Sequence, residues 1–154
     1  MKSITLIFLL FISFKSYSQF RNTTWGMNID EVKKIEQSKL SNSQKPNSLT
    51  YTIDVAEAKC DLIYLFKDDQ LTKIQYNFRN FDLDREIVNE FSQLWRTTIS
   101  NLKSKYGNNF TENKGVIVWQ NPNFTIKAYT YDPYISKMVI VEYTPPISSQ
   151  KDLL

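Results

Sequence analysis

The chain has 154 residues, 19 basic against 16 acidic side chains, one cysteine, three glycines and no histidine. The missing histidine excludes Ser-His-Asp and Cys-His nucleophilic sites, and a single cysteine leaves no usual zinc site. An aromatic share of 14% with so little glycine argues against disorder, and the length suits one domain with a proper core.

Residues 1–18 have the build of a secretory signal peptide. Met1-Lys2-Ser3 is a short basic start, Ile4 to Phe14 is nearly unbroken apolar sequence, and Ser16-Tyr17-Ser18 sets small residues at alternate positions before Gln19. The apolar run is too short for a membrane span, which needs about 20 residues. A lipoprotein would carry a cysteine at the cleavage point, and the cysteine of this chain is Cys60. The expectation is a free periplasmic or secreted protein with no stable membrane insertion after cleavage. Lys2 and Lys15 belong to the leader, so the rest carries 17 basic against 16 acidic residues. That near-neutral balance, without a block of like charge, gives no footprint for nucleic acid.

A first helix is expected from about Ile29 to Leu40. Asn28 and Glu31 stand at capping-box spacing, and Met27 and Val32 at that of a hydrophobic staple. Val32 and Ile35 would share the inner face, with Lys33, Lys34 and Glu36 pointing elsewhere. Trp25 reads either as a core plug beside the helix start or as a recognition residue beside Gly26. Strands follow at Leu49–Val55, Cys60–Phe66 and Leu71–Phe78, with a hairpin turn at Lys67-Asp68-Asp69-Gln70. In the third, Ile74, Tyr76 and Phe78 share one face and Lys73, Gln75 and Asn77 the other.

A second helix is led by Phe81-Asp82-Leu83-Asp84 and ends near Tyr106, with Gly107 as the stop. Its stripe is Ile87, Phe91, Leu94, Trp95, Thr98, Leu102 and Tyr106. Three more strands are expected at Val116–Gln120, Phe124–Tyr131 and Lys137–Tyr143, and in the last either alternating set suits the core. Short connections force antiparallel pairing. The expected fold is therefore α+β: a single antiparallel sheet of about six strands with two helices on one face. It would be built from two α-β-β-β units, about 25–80 and about 81–144, within one domain spanning 19–146. Residues 147–154 read as a loose tail.

Trp25-Gly26-Met27-Asn28-Ile29-Asp30-Glu31-Val32 resembles the helix start of BamE-like outer-membrane assembly proteins. The tandem α-β-β-β order is similar to the β-lactamase inhibitor protein superfamily. The resemblance implies that fold and a protein-binding surface, and it supplies no catalytic residues.

The chemistry-bearing residues are few. Gly26, Gly107 and Gly115 stand alone, so no phosphate-cradling loop is present. Asp82-x-Asp84 suits a helix cap better than a calcium loop, which requires a glycine and a distal glutamate. Cys60, in a strand-like run, reads as a small buried apolar side chain or as a reactive thiol. Phe124, Ile126 and Ala128 would face the helices, which turns Lys127, Tyr129 and Tyr131 outward beside Lys73, Gln75 and Asn77. Tyrosine is over-represented at binding surfaces. These six residues form the candidate surface for an unidentified envelope or extracellular protein, with no catalysis, cofactor or metal. The rival is a small envelope enzyme acting on polysaccharide or peptidoglycan through a carboxylate pair, with Glu86/Glu90 or Asp68-Asp69 as candidates.

Overall fold

The computed structural model describes residues 21–42, 44–55, 58–79, 87–132 and 137–146. The expected signal peptide, the approach to the second helix with Asp82, Asp84 and Glu86, and the tail at 147–154 lie outside them. The elements run α1 (Ile29–Ile35), β1 (Lys39–Leu40), β2 (Ser48–Val55), β3 (Ala58–Lys67) and β4 (Gln70–Arg79), then α2 (Ile87–Tyr106), β5 (Phe110–Asn113), β6 (Val116–Asn121), β7 (Phe124–Tyr131) and β8 (Met138–Thr144). The class is α+β. All eight strands form one antiparallel sheet in the order β1-β2-β3-β4-β8-β7-β6-β5.

The expected six-stranded sheet of two α-β-β-β units is overturned. Each helix is followed by four strands, and each half gains a short edge strand. The first arises because α1 stops at Ile35, five residues before the expected end. Glu36 leaves the helix with φ −75° and ψ 117°, its carboxylate turned inward. The chain then reverses, and Lys39 and Leu40 pair with Thr52 and Tyr51 of β2. The second is β5, which pairs with β6 across Lys114-Gly115. Both turn residues have positive φ, 49° and 76°, as a type I′ hairpin requires. Asp68 and Asp69 make the corresponding turn between β3 and β4 at φ 51° and 59°.

The α1 start forms as its sequence dictates. Asn28 accepts from the Glu31 N–H at 2.9 Å, and Glu31 accepts from the Asn28 N–H at 2.8 Å. Val32 is fully buried, with Met27 partly buried against the same core. Ahead of the helix, the backbone clamps onto β4 at Leu71, past the last β8 partner at Ile74. The Gly26 N–H donates to the Leu71 carbonyl at 3.1 Å, and the Leu71 N–H to the Met27 carbonyl at 2.8 Å. Gly26 makes this approach at φ +84°, a conformation that disfavours any side chain. Trp25, partly buried against the core, donates its indole N–H to the Asn123 carbonyl at 3.1 Å, tying the N-terminal segment to the β6–β7 turn.

One core fills the space between the helices and the sheet. Register aligns its residues across the centre: Leu62 with Tyr76 with Val141 with Ala128, and Tyr64 with Ile74 with Tyr143 with Ile126. From α2 come the buried Ile99 and Leu102, with Phe91, Leu94, Trp95 and Tyr106 packed around them. Ile99 is absent from the expected stripe. In β8 the Val139, Val141 and Tyr143 set faces the helices, and Ile140 on the other face is buried as well.

Ile74 is fully buried at this centre, whereas Leu40 on the edge strand is 42% exposed. Ile74→Ala is expected to cost about 2–5 kcal/mol in denaturant unfolding, and Leu40→Ala to stay within about 0.5 kcal/mol. Comparable losses at both positions would contradict this placement of the core.

Candidate functional site

Strands β4, β8 and β7 lie side by side, so alternate residues of all three appear together on the face away from the helices. Register sets Gln75 beside Glu142 beside Lys127, and Asn77 beside Ile140 beside Tyr129. Tyr131 lies next to Met138. All six residues expected at the binding surface, Lys73, Gln75, Asn77, Lys127, Tyr129 and Tyr131, are on this face.

They do not play equal parts. Glu142, which sequence reasoning missed, is the hub: its Oε1 accepts from the Tyr129 hydroxyl at 2.9 Å and lies 3.2 Å from Lys73 Nζ. Burial, helped by the hydrogen bond to this carboxylate, pushes the Tyr129 phenol up to about 12. Tyr129 is therefore a fixed neutral donor at physiological pH. Gln75 Nε2 donates to Asn77 Oδ1 at 2.7 Å, and Asn77 is itself buried. Four of the six thus hold one another or the strand in place. Lys127 is exposed and Tyr131 is 50% exposed, and these two project towards solvent. The signal for Glu142 was available: it is the one charged residue of Met138–Thr144, on a face already bearing Lys73 and Tyr129.

A second polar cluster sits under α1. The Glu36 side chain is 1% exposed, although its helical position suggested an outward-facing charge. Its carboxylate accepts from Arg21 Nε at 2.9 Å, Arg21 Nη2 at 3.1 Å, the Ser38 N–H at 2.9 Å and the Tyr64 hydroxyl at 2.8 Å. Burial is the largest single influence and pushes its pKa up. The hydrogen bonds from Ser38, Arg21 and Tyr64 together outweigh it and hold the group below the ordinary glutamate value. The same burial, with the Glu36 anion at hand, drives the Tyr64 phenol far above its usual range. A carboxylate with every lone pair engaged is a structural anchor and is poorly placed to act as a base.

The remaining chemistry-bearing residues are dispersed. Cys60 is buried, its thiol pushed up to about 12 by burial and by the charge of Asp61. It therefore stays protonated within the core, as a small apolar side chain does. Asp69 Oδ1 accepts from the Ile29 N–H at 3.4 Å, which places the hairpin tip at the start of α1. Glu90 is exposed on α2 and Glu86 lies outside the described residues. No helix among the described residues is long and apolar enough to cross a membrane.

The chain matches no family model, no curated protein and no solved structure.

Two measurements check the clusters. Because the Glu36 pKa is lowered on folding, its stabilisation is complete above the unfolded-state value and is lost as pH falls through the folded-state value. Glu36→Gln is expected to cost about 2–3 kcal/mol at neutral pH and to flatten the acid limb of the stability–pH curve below the ordinary glutamate range. An unchanged limb would mean that another carboxylate dominates it. Glu142→Gln should bring one tyrosine pKa down from about 12 in an alkaline absorbance titration, and Tyr129→Phe should delete the same step.

Proposed function

We propose that this chain is an exported, non-catalytic binding protein of the bacterial envelope that engages a protein partner through the open face of its sheet. The observation that carries the reading is the asymmetry of that sheet. Helices cover one face, and the other presents Lys127 and the half-exposed Tyr131 on a base fixed by Glu142, Tyr129, Lys73 and Asn77. An exposed tyrosine and an exposed lysine standing on a fixed polar base suit a protein interface, where Tyr and Arg-like anchors supply most of the affinity. Export rests on the composition of residues 1–18, and the partner class on the chemistry of the open face.

A photo-crosslink tests this. With benzoylphenylalanine in place of Tyr131, the exported chain should give a protein adduct of one defined mass in the envelope. The same probe in place of Lys34, exposed on α1, should give none. Lys127→Ala should reduce the adduct while keeping stability within about 0.5 kcal/mol. Adducts from the α1 side alone, or none from position 131, would overturn the reading.

A further inference from the structure

On the helix side of the sheet, a half-open trough of about 280 Å³ runs beside α2. The sheet supplies its floor through Val55, Tyr76, Phe78, Val141 and Tyr143, and α2 its wall through Leu94, Thr98 and Leu102. From Leu94 to Lys105 the wall is about 16 Å long at the helical rise. The volume is nearly twice the ~150 Å³ that accommodates benzene in an apolar cavity, and it approaches the lower end of small-molecule pockets, about 300 Å³.

The trough is polarised along its length. Tyr143 stacks edge-on against Tyr106, with ring centroids 6.4 Å apart, so its end of the floor adjoins Lys105, the next residue of α2. The register Phe78–Val139, Tyr76–Val141 and Ile74–Tyr143 puts Phe78 at the opposite end and Tyr76 between. One end is therefore aliphatic and aromatic, and the other holds tyrosines and a lysine. Two polar groups, one at that end and one beside it in the middle of the floor, are unused. Among the described residues lining the trough Lys105 alone is charged; its ammonium rests 5.2 Å from the Tyr106 ring centroid, with no carboxylate in ion-pair range among the described residues. The Tyr76 hydroxyl has no hydrogen-bond partner among the described residues either, although the side chain is half-buried and within electrostatic reach of Arg21 and Glu36. A half-buried donor without an acceptor and a cation without a counter-charge share one chemical complement, an oxygen-bearing anion. The apolar end has a different complement, a hydrocarbon body.

We infer that this trough is a binding site for a small amphipathic monocarboxylate of the fatty-acid type. Its hydrocarbon tail lies along Phe78, Leu94 and Val141, and its carboxylate sits at the Tyr76 and Lys105 end. The site is on the opposite face of the sheet from the proposed protein-binding surface and does not depend on it.

Calorimetric titration of the folded chain with decanoate, decanol and decylamine below their aggregation limits tests the assignment. Decanoate should bind, decanol about tenfold more weakly for want of a charge-assisted hydrogen bond, and decylamine more weakly still. Lys105→Gln should bring decanoate affinity down to that of decanol and leave decanol unchanged. Tyr76→Phe should weaken decanoate binding without lowering thermal stability, a result that a purely structural tyrosine would not give. Leu94→Trp, which fills the trough, should abolish binding of all three while circular dichroism and unfolding stay native. No binding of decanoate by the wild-type chain, equal binding of decylamine, or indifference to Lys105→Gln would each overturn the proposal. So would a concentration-dependent dimer lost in Leu94→Trp, which would assign the trough to a second copy of the chain.

Discussion

The pairing of β4 with β8 is the constraint on which everything else rests. Each half of the chain ends in its central strand, and those two last strands lie antiparallel from Ile74–Tyr143 to Arg79–Met138. Without this joint there would be two four-stranded meanders, each with a second exposed edge and half a core. With it, Tyr64, Ile74, Tyr143 and Ile126 become neighbours in one layer. The same register places Gln75 opposite Glu142 on the other face and brings Lys73, one pleat along, within 3.2 Å of that carboxylate, although 69 positions separate lysine and glutamate in sequence. Closing so long a loop costs entropy before any contact forms. The return comes from burying both faces of β8 at once, since Val139, Ile140 and Val141 are all buried. Core and open-face cluster are two sides of a single event.

The polar groups around this joint are sorted by how completely they are satisfied. Glu36 is almost wholly enclosed yet has four donors, so the cost of removing a charge from water is met locally. Its geometry also explains why α1 is short. Glu36 turns out of the helix at ψ 117°, and from there its carboxylate meets both Arg21 and Tyr64. A buried pair of this kind adds little net stability over an apolar pair, but it penalises every other arrangement of the N-terminal segment. Arg21 and the Gly26–Met27 clamp therefore fix the entrance of α1 from two directions.

What the sequence made legible follows from this sorting. β7 was read to its exact bounds, because Phe124, Ile126 and Ala128 alternate against polar residues with no competing pattern. The capping box at Asn28 was read because it is local chemistry over four residues. β1 was illegible because two residues, Lys39 and Leu40, carry no period, and pairing alone makes them a strand. β5 places only Phe110 against the core, next to Trp119 at 5.3 Å between centroids, so its pattern is one residue deep. Glu36 was misplaced because amphipathic reasoning sends every charge to solvent, and only tertiary partners reverse that. β8 was ambiguous because a strand buried on both faces has no alternation to read. The six open-face residues were grouped from two strands alone, and their organiser, Glu142, sits on that third, ambiguous strand.

The tyrosines show where packing stops explaining the sequence. The hydroxyls of Tyr64 and Tyr129 each reach a carboxylate, at 2.8 and 2.9 Å, and Tyr143 shares a hydrogen bond with Tyr106. In each case the hydroxyl is accounted for by a partner within the fold. Tyr76 differs: its ring packs edge-on against Tyr143 at 5.9 Å, a contact phenylalanine would make equally well. The added hydroxyl, on a half-buried side chain, has no acceptor among the described residues. A position where the local rule fails without compensation inside the fold is where function is expected to enter. Tyr76 lines the trough beside α2, and an acceptor supplied from outside the chain would give its hydroxyl the partner that its three counterparts find within.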